Sequence, residues 1–104
     1  VGNFDQGMLV ELPLHLDTLP GQPTAARLLE VYRAHYPAGG WVTVEDAPES
    51  GKLDAVALKD TNQLEIRVFG NDEARQAVCV ARLDNLGKGA SGAAVQNLQL
   101  MLGL

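Results

Sequence analysis

Leu64-Glu65-Ile66-Arg67-Val68-Phe69, closed by Gly70-Asn71-Asp72-Glu73 and answered by Ala77-Val78-Cys79-Val80-Ala81, is the stretch that decides the fold. Leu64, Ile66 and Val68 alternate with Glu65, Arg67 and Phe69, the period of two that marks a strand. The Gly-Asn-Asp cluster turns the chain. The returning run is apolar on both faces, which places it inside a sheet or under another layer. The two runs read as an antiparallel hairpin.

Upstream, Met8, Val10, Leu12, Leu14 and Leu16 alternate with Glu11, Pro13, His15 and Asp17. That is a second strand signal with one buried face, and Pro13 puts it near an edge or at a bulge. Leu19 to Pro23 is a turn cluster, after which the Thr24 hydroxyl can cap a helix over about residues 25–36. Leu28, Leu29, Tyr32 and Tyr36 form its apolar stripe, and Pro37 to Gly40 end it. Trp41-Val42-Thr43-Val44 is a short β-branched strand. Residues 45–63 lack periodicity and read as a surface excursion, and Asp84 to Ser91 as a loop. A last helix over about 91–102 carries Ala94, Val95, Leu98, Met101 and Leu102 on one face. The order βαβββα predicts an α+β fold, a mixed β-sheet with helices packed on it. Strands one and two, joined through a helix, predict a right-handed parallel crossover.

The 104 residues suffice for one domain with a thin core. Eight basic against 13 acidic residues give a net charge of −5, which argues against nucleic acid or an anionic membrane surface as the main partner. No apolar run approaches the roughly 20 residues that span a bilayer. The single cysteine, Cys79, excludes an intrachain disulfide framework and fits a reducing, cytoplasmic setting.

Gly87-Lys88-Gly89-Ala90-Ser91-Gly92 matches the dinucleotide fingerprint GxGxxG, but only 12 residues follow it, too few for the second strand and ribose-binding acid. What survives is a glycine-rich turn at a helix N-terminus, whose free N–H groups and Lys88 could receive an anion. Cys79, between two valines, reads as a packed thiol, and His15 and His35 lack metal-ligand partners at usable spacing. Glu45, Asp46 and Glu49 read as a solvated loop. Gln96, Asn97 and Gln99 interrupt an otherwise apolar helix, as an exposed face or as amides that meet a ligand. No catalytic or metal-binding constellation emerges.

The run Leu83 to Leu98, with Asp84-Asn85-Leu86-Gly87-Lys88-Gly89-Ala90-Ser91-Gly92-Ala93-Ala94-Val95-Gln96-Asn97 at its centre, resembles the C-terminal signature of N-acetyl-gamma-glutamyl-phosphate reductases. Val1 to Met8, Leu19-Pro20-Gly21, Thr24-Ala25-Ala26 and Phe69-Gly70-Asn71-Asp72 resemble segments of the shorter subtype of that family. The resemblance implies an NADP-binding Rossmann domain upstream and a second domain similar to the C-terminal domain of glyceraldehyde-3-phosphate dehydrogenase. Residues 1–84 would be the substrate-binding and dimerisation part. Residues 85–104 would be a glycine turn and helix that return to the cofactor domain. Gly87, Lys88, Gly89, Gly92, Gln96 and Asn97 would lie beside NADP, with Lys88 near phosphate. The sheet and Trp41 would contribute to a homo-oligomer, dimer or tetramer.

The family's reaction reduces an acyl phosphate to an aldehyde in arginine biosynthesis, in the cytoplasm. The resemblance implies that the family's nucleophilic cysteine and acid–base histidine precede Val1; Cys79, His15 and His35 match neither position. The chain is therefore expected to be a fragment, inactive alone and a weak NADP binder. The same chemistry on an aminoadipyl or aspartyl phosphate, or a free-standing self-associating or ligand-binding module, are the competing expectations.

Overall fold

The computed structural model describes residues 2–104, so Val1, at the start of one quoted resemblance, lies outside it. Four strands form one mixed sheet: β1 (Met8–His15), β2 (Val42–Val44), β3 (Leu64–Asn71) and β4 (Gln76–Leu83). Their spatial order is β1-β4-β3-β2, with β4 antiparallel to both of its neighbours and β2 parallel to β3. The hairpin and the interior placement of the apolar fourth strand stand as expected. So does Pro13, whose missing N–H is tolerated because β1 is an edge. β1 and β2 run in the same direction, but β4 and β3 lie between them, so the helical connection crosses the whole sheet.

That connection is α1 (Ala25–His35), capped by the Thr24 hydroxyl, which accepts from the Arg27 amide at 3.2 Å. Its inward residues Leu28, Leu29 and Tyr32 pack on Val68, Ala77 and Cys79 of the sheet. Register puts those three on the face shared by Met8, Val10, Leu12 and Leu14. At Gly70 the approach is so close that a Cβ would collide with the Ala25 side chain, which is why the strand carries glycine there. The chain's most buried residue, Leu16, lies in a single 3₁₀ turn (Leu16–Thr18), not in the strand that its alternation suggested. α1 covers only one end of the face. Met8, Val10 and Leu12 remain 41–53% exposed, so the buried face expected of β1 is not buried within this chain.

The opposite face carries Glu65, Arg67 and Arg82. Glu65 sits across from Arg82 and accepts from its Nε at 3.0 Å and from Arg67 Nη2 at 3.2 Å. The same arginines donate to the carbonyls of Asp46 (2.8 Å) and Asp54 (3.2 Å). The 45–63 segment is thereby bonded across the sheet rather than looping free.

The C-terminal part differs most from expectation. Residues 87–91, read as loop, form one wide helical turn with i to i−5 bonds: Gly89 N–H to Asp84 carbonyl (2.9 Å) and Ser91 N–H to Leu86 carbonyl (3.3 Å). It runs directly into α2 (Gly92–Leu102), with Ser91 already helical. α2 does not pack on the sheet. Its apolar stripe is exposed, with Val95 55%, Leu98 54%, Leu102 62% and Met101 83% accessible.

Asp84 joins these parts. Only 1% exposed, its carboxylate accepts from Gln6 Nε2 (2.7 Å), the Asp60 amide (2.6 Å) and the amides of Leu86 (2.9 Å) and Gly87 (3.2 Å). Burial alone would raise its pKa, but these donors outweigh it and hold the carboxyl below its usual 3.8. A depressed folded-state pKa means that Asp84 contributes its full stabilisation above the unfolded value. The contribution fades as pH falls through the lower folded value. Asp84→Asn should therefore lower the urea midpoint at neutral pH and flatten its decline below about pH 4. Parallel urea titrations across pH check both. Leu16→Ala should cost about 2–5 kcal/mol, with little pH dependence.

Candidate functional site

The six residues singled out by the sequence all lie on one stretch of helix, from the wide turn into the second turn of α2. Two of the glycines are required by close approach, Gly87 to the Thr61 carbonyl and Gly92 to the Gly87 carbonyl and the Asn62 side chain. A Cβ on Gly87 would fall 2.7 Å from the Thr61 carbonyl, and one on Gly92 2.5 Å from Asn62 Oδ1. At Gly89 the nearest atom is Leu83 Cδ1, at 3.3 Å, the end of a flexible side chain. Most amides of the turn are taken, not free as the motif alone suggests. Those of Leu86 and Gly87 donate to the Asp84 carboxylate, and those of Gly89, Ser91 and Gly92 to carbonyls of the same turn. The chain's own carboxylate occupies the place of the anion that such a turn could cradle.

The charged group that remains is Lys88. Its ammonium donates to Gln96 Oε1 at 2.6 Å, and Asn62 Nδ2 donates to the same oxygen at 3.1 Å. All three residues are half-buried. Asn62 Oδ1 is fully buried and has no donor among the described residues. Asn97, the next residue along α2, is exposed. Beside this cluster opens a cavity of about 430 Å³ lined by Gln6, Asp60, Asn62, Asp84, Ser91 and Gly92 among others. The walls come from the N-terminal segment, the 54–63 segment and the glycine turn. Gly7 tightens this junction: its amide donates to Asn85 Oδ1 at 2.7 Å, and its φ of +130° and the adjacent Ala55 carbonyl leave no room for a side chain.

Asp84, Asn62, Asp60 and Gln6 were not singled out from the sequence. Only Asp84 carried a readable signal, since Asp followed three residues later by Gly is the pattern of a carboxylate capping its own turn. The others reach the site through contacts spanning up to 78 residues.

Other chemical candidates fall away on geometry. Cys79 is 5% exposed, and burial pushes its thiol up despite a hydrogen bond from Tyr32, so it is no nucleophile. Burial and that same contact push the Tyr32 phenol up. His15 is exposed, and His35, also exposed, stacks edge-on against Tyr36. Glu45 and Glu49 are exposed, and Asp46 pairs with Arg33 at 2.7 Å. No group of three or more His, Cys, Asp or Glu is placed to hold a metal among the described residues. No helix among them is long and apolar enough to cross a membrane.

The chain is similar over its whole length to named proteins. It is 47% identical over 110 residues to N-acetyl-gamma-glutamyl-phosphate reductase 2 of Nostoc sp., covering 100% of this chain and 34% of that relative. It is 48% identical over 106 residues to the N-acetyl-gamma-glutamyl-phosphate reductase of Brucella ovis, covering 99% of this chain and 34% of that one. The reductase of Trichormus variabilis is 46% identical with the same 34% covered. The chain thus spans about a third of the length of the curated relatives that it matches. A family model described as the dimerisation domain of semialdehyde dehydrogenases matches residues 1–85, the sheet and α1 up to the start of the glycine turn. The chain belongs to the semialdehyde dehydrogenase dimerisation-domain family.

Proposed function

We propose that this chain is part of an NADP-dependent reductase that converts N-acetylglutamyl phosphate to the corresponding semialdehyde. The observation that carries the reading is the similarity to reductases of that name over essentially the whole chain. The similarity includes the glycine turn and α2, which lie beyond the residues of the family match.

The chemistry of this chain supports a division of labour. Reduction of an acyl phosphate to an aldehyde by way of a thioester needs an accessible thiolate and an acid–base group. Here the thiol is buried with a raised pKa, and both histidines are exposed on the surface without a nucleophile beside them. Those roles fall to residues outside this chain. NADPH, when bound, supplies the hydride.

α2 supports the reading physically. Gln96 turns inward, onto Asn62 and Lys88, while Asn97 and Gln99 are exposed and Val95, Leu98, Met101 and Leu102 point out. A helix that presents its apolar stripe to water is amphipathic in the wrong sense for this domain alone, and in the right sense for a second body. We assign that body to a cofactor domain on the same polypeptide. Gly87, Lys88, Gly89, Gly92, Gln96 and Asn97 then form this chain's side of the cofactor cleft. The sheet, including exposed Met8, Val10 and Leu12, and the 49%-exposed Trp41 are its surfaces for a homo-oligomer in the cytoplasm.

The full-length polypeptide should oxidise NADPH only when given the acyl phosphate, followed by absorbance of the reduced cofactor. The excised chain should show no turnover and no submicromolar NADPH binding in titration calorimetry. Activity from the excised chain would end this reading. The excised chain should also bind a hydrophobic dye strongly, and Leu98→Gln with Met101→Gln should remove most of that signal. In the full-length protein the signal should already be low.

A further inference from the structure

The chain is acidic overall, yet Lys88 and the exposed Lys52 have no carboxylate partner among the described residues, while Lys59, Arg27, Arg33, Arg67, Arg75 and Arg82 each pair with one. Lys88 is instead half-buried and tied at 2.6 Å to the neutral carbonyl oxygen of Gln96. A neutral acceptor fixes where an ammonium points without cancelling its charge. A glutamate there would do both. Asn62 adds the third part. It turns its NH₂ onto the same Gln96 oxygen and leaves its own Oδ1 buried without a donor. Asn62 can lie this close to the start of α2 because Gly92 has no Cβ, which would fall 2.5 Å from Oδ1. The amide of Asn62 is thus committed to holding Gln96 at the expense of its own acceptor.

We propose that Gln96 and Asn62 are positioning residues that hold Lys88 as an oriented, unneutralised ammonium for a phosphate group of a bound ligand. The Leu86 and Gly87 amides are spent on Asp84, and the lysine is the charged group that this end of the domain offers an anion. The assignment rests on the reductase reading for the identity of the ligand, since both NADPH and the acyl phosphate carry phosphate. The positioning itself follows from the cluster.

The test uses the full-length polypeptide and reads Lys88 directly, by its acylation with an amine-reactive acetyl ester followed by peptide mass spectrometry. Inorganic phosphate, NADPH, NADH and the acyl phosphate are the four probes. Protection of Lys88 by fivefold or more with any phosphate-bearing probe supports the proposal. Protection by NADPH but not NADH points to the cofactor's extra phosphate, and protection by the acyl phosphate or inorganic phosphate points to the substrate side. No protection by any probe overturns it.

Gln96→Leu should raise the KM of the protecting ligand five- to tenfold with kcat within twofold. Gln96→Glu should raise it at least as much and reduce its salt dependence, because the new carboxylate neutralises the lysine. In a Lys88→Met background Gln96→Leu should add less than twofold. Equal effects with and without Lys88 would reduce Gln96 to a structural residue and overturn the proposal. If the wild-type polypeptide lacks reductase activity, the functional reading fails, yet the phosphate protection experiment still decides this one.

Discussion

The buried carboxylate of Asp84 is the constraint on which the rest of the molecule depends. It sits where β4 ends and satisfies donors from the N-terminal segment, the 54–63 segment and the helical turn that follows it. Removing an ionised carboxylate from water is costly unless hydrogen bonds replace its solvation. Four donors do so here, three of them backbone amides that would otherwise be unpaired in a helix start or a loop. The exchange is mutual: the amides fix the charge, and the charge fixes the path of three segments remote in sequence. Lys88, Gln96 and Asn62 come together because this junction sets where the turn and α2 begin.

The sheet and α2 stand on opposite sides of this junction and solve burial differently. α1 closes one end of the sheet with aliphatic contacts, and arginine–carbonyl bonds draw the 45–63 segment across the other face. These are internal solutions. The edge of β1 and the outer face of α2 have none, and together they leave at least seven large apolar side chains half or more exposed, or nearly so. Scattered exposure of this kind would need no explanation, but an ordered stripe along an entire helix does. The proposed assembly, with a second copy on the sheet and a cofactor domain on α2, would cover both surfaces.

How much of this was legible in the sequence depended on the range of the interaction. The hairpin, the interior position of β4 and the Thr24-capped helix rest on local periodicity and capping, and all were readable. Leu16 was placed on the right face but in the wrong element, since a period of two cannot tell the last strand residue from the first residue of a turn. Strand adjacency was not readable either. A helical crossover fixes direction, but which strands fill the gap depends on register between segments more than 60 residues apart. At the site, the helix residues were found by pattern and resemblance. Asn62, Asp60 and Gln6 were not, because nothing in a stretch of polar loop marks the residue that folds back onto a distant helix.

The glycine motif shows where a pattern and its physics part. GxGxxG marks a phosphate site because the absence of side chains lets backbone amides reach a pyrophosphate. The same spelling here answers a different demand. Gly87 is small because the Thr61 carbonyl presses against it and Gly92 because the Gly87 carbonyl and the Asn62 side chain do, and the Leu86 and Gly87 amides are already occupied. An Asp three residues before the first glycine is what separates the two cases. A carboxylate at that position competes with any incoming anion for the same N–H groups and, being covalently attached, has a large effective concentration. With the Leu86 and Gly87 amides taken, the proposed anion contact at this motif falls to a side chain, the half-buried lysine that points onto a neutral amide oxygen.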